Sequence, residues 1–470
     1  MKVTPITLDV GMQDPDALYN AVRGRDGKDT YLLESAEGGE KVARYSFIGF
    51  NPAAKLTIRG KKASLDIIDP QLKGLKSTAS DPLEIMRELI SQFELATAGP
   101  RFFGGFVGYY SYDIIRNSIQ LPESGPKAKP DDLKEPDCEF ILAKNNFIID
   151  HKDGITLLTQ NEFGDKVDEK AVKESLDEIM DSLDFKPVPE LPKKKVTLHS
   201  NTSKAEYEKS VLDAIEYIKA GDIFQVVLSQ RFGADFDGDT FAVFRALKEI
   251  NPSPYMYHLD FGERKIVGSS PEMLARVEGE TVVTYPIAGT RKRGKNQDED
   301  DALAKEMLSD EKERAEHIML VDLGRNDVGR IAKYGSVKVS KLMEVEKYSH
   351  VQHIVSEVVG ELREDMDEID ALKSIFPAGT VSGAPKVRAM EIIDELEKAR
   401  RGIYAGCVGY FSFNRNMDTA ITIRTIVFEG DKAYIQAGAG IVVDSKPEKE
   451  YQETVNKAKG MAKALGGELG

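Results

Sequence analysis

Residues 255–289, "YMYHLDFGERKIVGSSPEMLARVEGETVVTYPIAG", carry the pattern that decides the fold. Strand-like runs (YMYHLDF, KIVGSS, EMLARV, TVVTYPIAG) are separated by short turn sequences such as GER and EGE. Turns that short join antiparallel neighbours, because a parallel pair needs a crossover of a dozen residues or more. The stretch therefore predicts an antiparallel meander. A second one is predicted in YAGCVGYFSF, DTAITIRTIVF and KAYIQAGAGIVV. Three helical segments, around 298–323, 367–376 and 383–398, lie between the two meanders, and a terminal helix is expected from about Lys446 to Leu465. With no repeat period, many antiparallel strands alternating with helices imply stacked or orthogonal sheets with helices outside.

Upstream, the short strands ARYSFIGF, AAKLTIRG and ASLDIID, the helix DPLEIMRELISQFEL and the Gly/aromatic strand RFFGGFVGYYSYD give an α+β region over residues 1–185. Pro, Lys and polar residues then accumulate, and 186–203 reads as a linker. The remainder, 204–470, opens on a capping box in which Ser203 is the N-cap and Glu206 stands three residues on.

At 470 residues the chain can hold two or three domains or one large assembly. A net charge of −15 argues against a nucleic-acid surface or an anionic membrane as partner, since both need a basic face. No apolar run reaches the roughly 18 to 20 residues of a membrane span, and MKVTPITLDV lacks a signal-peptide core. A cytoplasmic protein is expected. Cys138 and Cys407 cannot form a disulfide framework and have no metal-ligand spacing, so both are read as buried thiols.

Residues 313–327, "ERAEHIMLVDLGRND", place Glu313 and Glu316 on nearly the same helical stripe as Leu320 and Leu323. In "EKEYQETVNKAKGMAKAL" Glu450, Glu453 and Lys457 lie on the stripe that continues as Met461 and Ala464. Either such pairs are chance on wet faces, or two helices offer carboxylates to one divalent ion, for which Mg²⁺ is the favoured choice. Three Gly-rich segments, PIAGTRKRG, PAGTVSGAPK and QAGAGIVV, lack the order of nucleotide-binding loops. Each is a turn by itself; as a set they would let backbone N–H groups and the Thr290, Thr380 and Ser382 hydroxyls approach a small carboxylate-bearing substrate. Arg424, mid-strand in AITIRTIVF, must meet an anion, whether substrate or structural acid. Glu272 and His353 are isolated titratable groups in apolar sequence, candidates for acid or base.

SSPEML, YPIAGTRKRG, AEHIMLVDLGRND, GTVSGAPKVRAMEIIDELE, GYF, IRT, QAGAGIVVDS and EKEYQETVNKA, in that order, resemble the chorismate-utilising enzymes. The likeness runs from about Lys204 to the C-terminus and extends more weakly through the N-terminal half. It implies an α+β fold of two large antiparallel sheets packed across each other with helices outside, completed by the N-terminal region, and a substrate cleft between the sheets. Carried over, Glu316 and Glu453 would bind Mg²⁺ with Glu313 and Glu450 behind them. Gly289, Thr290, Tyr404, Arg424, Gly438, Ala439 and Gly440 would contact the two carboxylates of chorismate, with Gln225 and Lys457 in the same substrate set. Glu272 would be the general acid for the departing C4 hydroxyl, and His353 and Thr380 would act later in the reaction.

Within the family two positions discriminate. Ala288 stands where the aminodeoxychorismate synthases carry a nucleophilic Lys, and Gln225 where isochorismate and salicylate synthases carry a Lys that activates water. Ammonia is the nucleophile left, and anthranilate with pyruvate the expected product, as in tryptophan biosynthesis. The alternatives are an aminodeoxychorismate synthase component and a catalytically silent tryptophan-binding regulator. YLLES, RYSFIG and NPSPYM are similar to the family's tryptophan feedback site, through Ser35, Pro254, Tyr255 and Met256. Neither cysteine lies in a G-x-C-x-G motif, so a glutamine amidotransferase subunit is expected to deliver ammonia in a hetero-oligomer.

Overall fold

Both expected meanders form, and each crosses from one sheet to another midway. The computed structural model of the chain describes residues 1–35, 44–96, 99–122, 128–191, 195–348 and 351–470. Tyr255–Asp260 pairs with Arg264–Ser270, after which the chain leaves that sheet and Met273–Glu278 pairs with Thr281–Thr284 in the other. The second meander runs the opposite way: Cys407–Ser412 and Met417–Ile421 lie in the sheet of Met273–Glu278, while Thr425–Glu429 and Lys432–Ile441 lie in the sheet of Arg264–Ser270.

One sheet runs, neighbour by neighbour, through Gln225–Asp235, Lys432–Ile441, Thr425–Glu429, Arg264–Ser270, Tyr255–Asp260 and Thr30–Glu34 to the first half of Tyr45–Arg59. The other continues from the second half of that strand through Cys138–Asp150, Gly105–Tyr110, Cys407–Ser412, Met417–Ile421, Met273–Glu278 and Thr281–Thr284 to Val351–Glu361. All these pairings are antiparallel. Tyr45–Arg59 and Cys138–Asp150 turn the corner together: their register shifts between Pro52 and Ala54, and Asn51 takes φ 51° beside it. A bulge is the usual device by which a strand changes sheets. Asn51 Nδ2 donates to Asn145 Oδ1 at 2.7 Å, satisfying the polar groups at the bend.

Tyr31, Phe47, Tyr109, Tyr257, Ile266 and Tyr410 fill the space between the sheets. The outer face of the first sheet buries Thr240–Ile250 and Pro447–Ala464 through Phe244, Leu247, Ala458 and Met461. The outer face of the second buries Pro82–Ile90, Glu368–Ile375 and Glu311–Gly329 through Met86, Leu372, Val321 and Val328. The two acid-bearing helices are thus outer-layer elements of different sheets.

Several expectations are corrected in detail. ARYSFIGF and AAKLTIRG are one strand, Tyr45–Arg59, because Pro52 sits at the bulge where no ladder N–H is needed. The helix expected over 298–323 is two, Gln297–Ser309 and Glu311–Gly329, since Asp310 takes an extended conformation and caps the second by accepting from the Lys312 and Glu313 N–H groups. The expected linker contains a strand, Val196–Ser200, paired with Gln225–Asp235 and with Gly467–Leu469; residues 192–194 of that segment lie outside the described residues. Residues on either side of 186–203 share both sheets, through Thr30–Glu34 with Tyr255–Asp260 and Gly105–Tyr110 with Cys407–Ser412. The Ser203–Glu206 capping box forms as expected, and both cysteines are buried. Among the described residues no helix is long and apolar enough to cross a membrane.

Gly108 and Gly409 face each other across two neighbouring strands. A methyl group on Gly108 would collide with the Glu139 carbonyl oxygen, and one on Gly409 with that of Asp418. Gly108→Ala is therefore expected to destabilise the fold by about 1–3 kcal/mol, read as a lower urea midpoint at unchanged m-value.

Candidate active site

The two places where the chain passes between sheets carry the two side chains that define the site. Glu272 ends the first crossing, after Ser270 and Pro271, and Arg424 ends the second, after Thr422 and Ile423. Arg424 is not mid-strand as its apolar neighbours suggested. The strand breaks after Ile421, Arg424 takes φ 50°, and its carbonyl accepts from Ser269 N at 3.1 Å. Its guanidinium donates through Nη1 to Asn251 Oδ1 at 3.0 Å. Burial lowers its proton affinity, opposed by the Glu272 carboxylate. A guanidinium so placed stays charged and offers its other N–H groups to an anion.

Glu272 is 7% exposed. Burial pushes its carboxyl up to about 8, against the opposing pull of Thr380, Arg424 and Lys457. At neutral pH it is a protonated acid, a proton donor held in an apolar wall. Thr380 Oγ1 lies against it, buried and short of a made hydrogen bond.

His353 sits on Val351–Glu361 opposite Thr290 on Ile287–Lys292, where the register slips between Ala288 and Thr290. The slip is a bulge at Gly289, whose φ of 67° favours glycine. Gly289 O can only accept, so the 2.9 Å contact assigns the proton to His353 Nδ1; Thr290 Oγ1 stands 3.0 Å from the same nitrogen. Burial, with Arg424 nearby, lowers the imidazole's proton affinity. The ring is neutral at pH 7, with the Nε2 lone pair as its base.

The Gly-rich strand Lys432–Ile441 forms the facing wall. A Cβ at Gly438 would lie 2.8 Å from the Tyr404 hydroxyl, and one at Gly440 would lie 2.5 Å from Gln225 Nε2, so both must be glycine for the backbone to approach so closely. Ala439, between them, points into the core with Val226 and Leu228. Behind Tyr404 a buried ion pair, Arg401 with Glu397 at 2.6 Å, stacks its guanidinium on the ring.

The acids expected to bind metal gather at the mouth. Gln225 Nε2 approaches Glu316 Oε1 at 3.4 Å, and Gln225 Oε1 is buried without a partner. Burial raises the Glu316 carboxyl, and Glu313 and Glu453 raise it further. Glu450 is raised by burial and by Glu453, eased by Ser445. Glu316 therefore feels Glu313 and Glu453, and Glu450 feels Glu453. The four carboxylates do not lie on fully buried faces: Glu450 is buried, Glu313 and Glu316 are at the edge, and Glu453 is 47% exposed. Two hold cationic side chains, Glu453 with Lys457 Nζ at 2.8 Å and Glu313 with Arg291 Nη1 at 3.0 Å. Lys457 also donates to Gly438 O at 2.9 Å, tying the acid mouth to the glycine wall. Among the described residues no three ligand-type side chains close on one point. The donor set still fits a hard cation of the Mg²⁺ type, which takes one or two carboxylates and completes its shell with water and substrate oxygens.

A second cavity, of about 560 Å³, opens between the sheets away from these groups and is lined by Ser35, Pro254, Tyr255 and Met256, all four of the residues expected together. Its walls include Phe47 and Tyr410, and its charged rim Glu34, Arg101, Arg276 and Asp418. Tyr255 hydroxyl donates to Asp418 Oδ1 at 3.0 Å.

Sequence reasoning gave no role to Asn251, which holds Arg424, nor to Asp327 and Lys386, which pair at 2.6 Å on the wall of a pocket that Glu272 also lines. All three stand in quoted motifs, NPSPYM, LGRND and GAPK; only the pairing across the fold distinguishes them.

A family model described as chorismate binding enzyme matches residues 28–463. Anthranilate synthase component 1 of Acetivibrio thermocellus is 48% identical, over 98% of this chain and 95% of its own. That of Aquifex aeolicus (strain VF5) is 48% identical, over 93% and 90%. The crystal structure of anthranilate synthase component I from Streptococcus pneumoniae TIGR4 superposes with TM-score 0.78 at 40% identity, covering 89% of this chain and 92% of that one. The menaquinone-specific isochorismate synthase of Escherichia coli shares the fold at 19% identity, TM-score 0.76, over 98% and 94%.

The raised Glu272 carboxyl has a measurable signature. Its ordinary value is 4.5 and its folded value about 8, so between those limits only the native state keeps the proton, and native stability falls as pH rises through that window. The infrared difference between the native chain and Glu272→Gln should show a protonated carboxyl at pH 6 that is lost above pH 9. A carboxylate already present at pH 6 would contradict the burial argument.

Proposed function

This chain belongs to the chorismate-binding enzymes, on the branch of anthranilate synthase component 1, and from that premise we propose that it converts chorismate and ammonia to anthranilate and pyruvate. The observation that carries the reading is the pairing of a protonated, buried Glu272 with a fixed Arg424 guanidinium at the two sheet crossings. Arg424, the Gly289 bulge and the Gly438–Gly440 backbone orient a small dianion, with Tyr404 and Thr290 hydroxyls beside them. Glu272 then gives its proton to the C4 hydroxyl as the C4–O bond breaks. Water leaves, the ring double bonds shift, and ammonia forms the N–C2 bond. His353, with Nδ1–H donated to Gly289, keeps Nε2 free to take the C2 proton as the C3–O bond breaks and the ring becomes aromatic; the side chain leaves as the enolate, which takes a proton on its methylene carbon to give pyruvate. Thr380, beside Glu272, holds the acid toward the same centre.

Neither of the two discriminating positions supplies a nucleophile or base that would compete with ammonia. Ala288 has none to offer, and Gln225, anchored toward Glu316, cannot act as a base at neutral pH. Glu316 and Glu453 would hold Mg²⁺, with Glu313 and Glu450 behind them; the ion when bound neutralises the ring carboxylate and fixes its orientation. A glutamine amidotransferase is the partner we propose as the ammonia source, in line with relatives that are named as one component of the enzyme. The second cavity suits tryptophan: apolar walls for an indole, Glu34 and Asp418 for an ammonium, Arg101 and Arg276 for a carboxylate.

Two measurements test this. Incubation with chorismate, Mg²⁺ and an ammonium salt should yield fluorescent anthranilate, and Glu316→Gln should lower turnover by about 100-fold or more with circular dichroism unchanged; accumulation of 4-amino-4-deoxychorismate, or a fully active variant, would refute the assignment. Ser35→Arg should raise the tryptophan concentration for half-inhibition by about tenfold, a loss of roughly 1.4 kcal/mol, and an unaltered inhibition curve would remove tryptophan from that cavity.

A further inference from the structure

The helix that presents Glu313 and Glu316 at the mouth continues as Leu320, Leu323, Gly324 and Asp327, and its far end lines a chamber partly open to solvent. Glu272 and Thr380 line that pocket as well, together with Leu274, Ile375 and Ile421. Its remaining walls are mostly apolar, apart from one ion pair: Lys386 Nζ lies 2.6 Å from Asp327 Oδ2 and donates to Ile375 O at 2.6 Å. Asp327 Oδ1 is buried there without a hydrogen-bond partner, and Thr380 Oγ1 lies against the Glu272 carboxyl. Asp327 is 3% exposed. A buried acceptor left without a protein partner beside an ammonium and a hydroxyl is the kind of group that ordered water satisfies, since a water needs two to four polar partners.

A general acid sealed in an apolar wall has a second requirement beyond giving its proton. After each turnover Glu272 is a buried carboxylate, and it must regain a proton without going through the occupied cradle. Resting on the reading of Glu272 as the acid, we propose that this chamber is its proton inlet: water held between Asp327, Lys386 and Thr380 reprotonates the carboxylate and accepts the water expelled from C4. In the first step an O–H bond of chamber water breaks and an O–H bond forms on Glu272. The hydroxide left behind takes a proton from the Lys386–Asp327 pair, which recovers it from solvent. Solvent in turn receives the proton released by the nitrogen newly bonded to C2, so the cycle balances. Burial supports such sharing, because it lowers the proton affinity of Lys386 and raises that of Asp327 until the two lie closer together. Asp327 and Lys386 are positioning and relay groups, since neither touches substrate.

The assay is steady-state anthranilate formation at saturating chorismate, Mg²⁺ and ammonium. Asp327→Asn should lower kcat by roughly tenfold or more while the KM for chorismate stays within about twofold, and its solvent deuterium effect on kcat should exceed that of the native chain. Asp327→Ala should regain turnover as acetate buffer is added at constant pH and ionic strength, a response that the native chain lacks. A native kcat in Asp327→Asn, or a lowered one with an unchanged isotope effect and no response of Asp327→Ala to acetate, overturns the inlet. If the Ala variant does not fold by circular dichroism, the isotope effect of the Asn variant decides alone. A native chain that forms no anthranilate overturns the reading of the function instead, so the two failures are told apart.

Discussion

The site depends on the chain changing sheets twice. A strand that stays in its ladder has its backbone groups committed to neighbours and its side chains to one of two faces. Between Ser270 and Met273, and again between Ile421 and Thr425, the ladder is interrupted, and the residue at each break can aim along the seam between the sheets. Glu272 and Arg424 occupy those breaks. Glu272 is accommodated in so dry a place by keeping its proton, and Arg424 by donating to Asn251 while it keeps its charge. The left-handed backbone of Arg424 is a further cost, absorbed by the bonds to Asn251 and Ser269 on neighbouring structure.

Around that pair the charges are arranged by depth. Deep in the seam the carboxyl keeps its proton and the imidazole lacks one, so the chemistry starts from neutral groups. At the mouth, where water still reaches Glu453, Glu313 and Glu453 stand close enough to raise Glu316, Glu453 also raises Glu450, and Lys457 and Arg291 hold two of the four carboxylates. Carboxylates crowded in this way favour whatever cation can sit among them. Lys457 bridges the regions, since it pairs with Glu453 and also binds the carbonyl of Gly438 in the substrate wall.

Much of this was legible from residue types. Short turns announced antiparallel neighbours, and the Ser203–Glu206 spacing announced a helix start. The illegible parts have a common origin. Asp310 interrupts a helix that its periodicity would have continued, because a cap is a local hydrogen bond that period counting does not register. Arg424 reads as a strand residue because apolar neighbours on both sides look the same whether a strand runs on or switches sheets. Glu453 reads as buried because the stripe is right, but its exposure depends on where the opposing helix ends.

What the amino-acid sequence determined by itself was the kind of parts: antiparallel strands, outer helices, glycines where a backbone must come close, a carboxyl in apolar sequence at residue 272 and no nucleophile at residue 288. Side-chain chemistry and local spacing contain that information. Only the tertiary structure decided which parts meet. Glu272 faces Arg424, Asp327 finds Lys386, and Asn251 holds the guanidinium because strands far apart in the chain share ladders, and a hydrogen bond between residues 173 positions apart leaves no trace in the sequence around either.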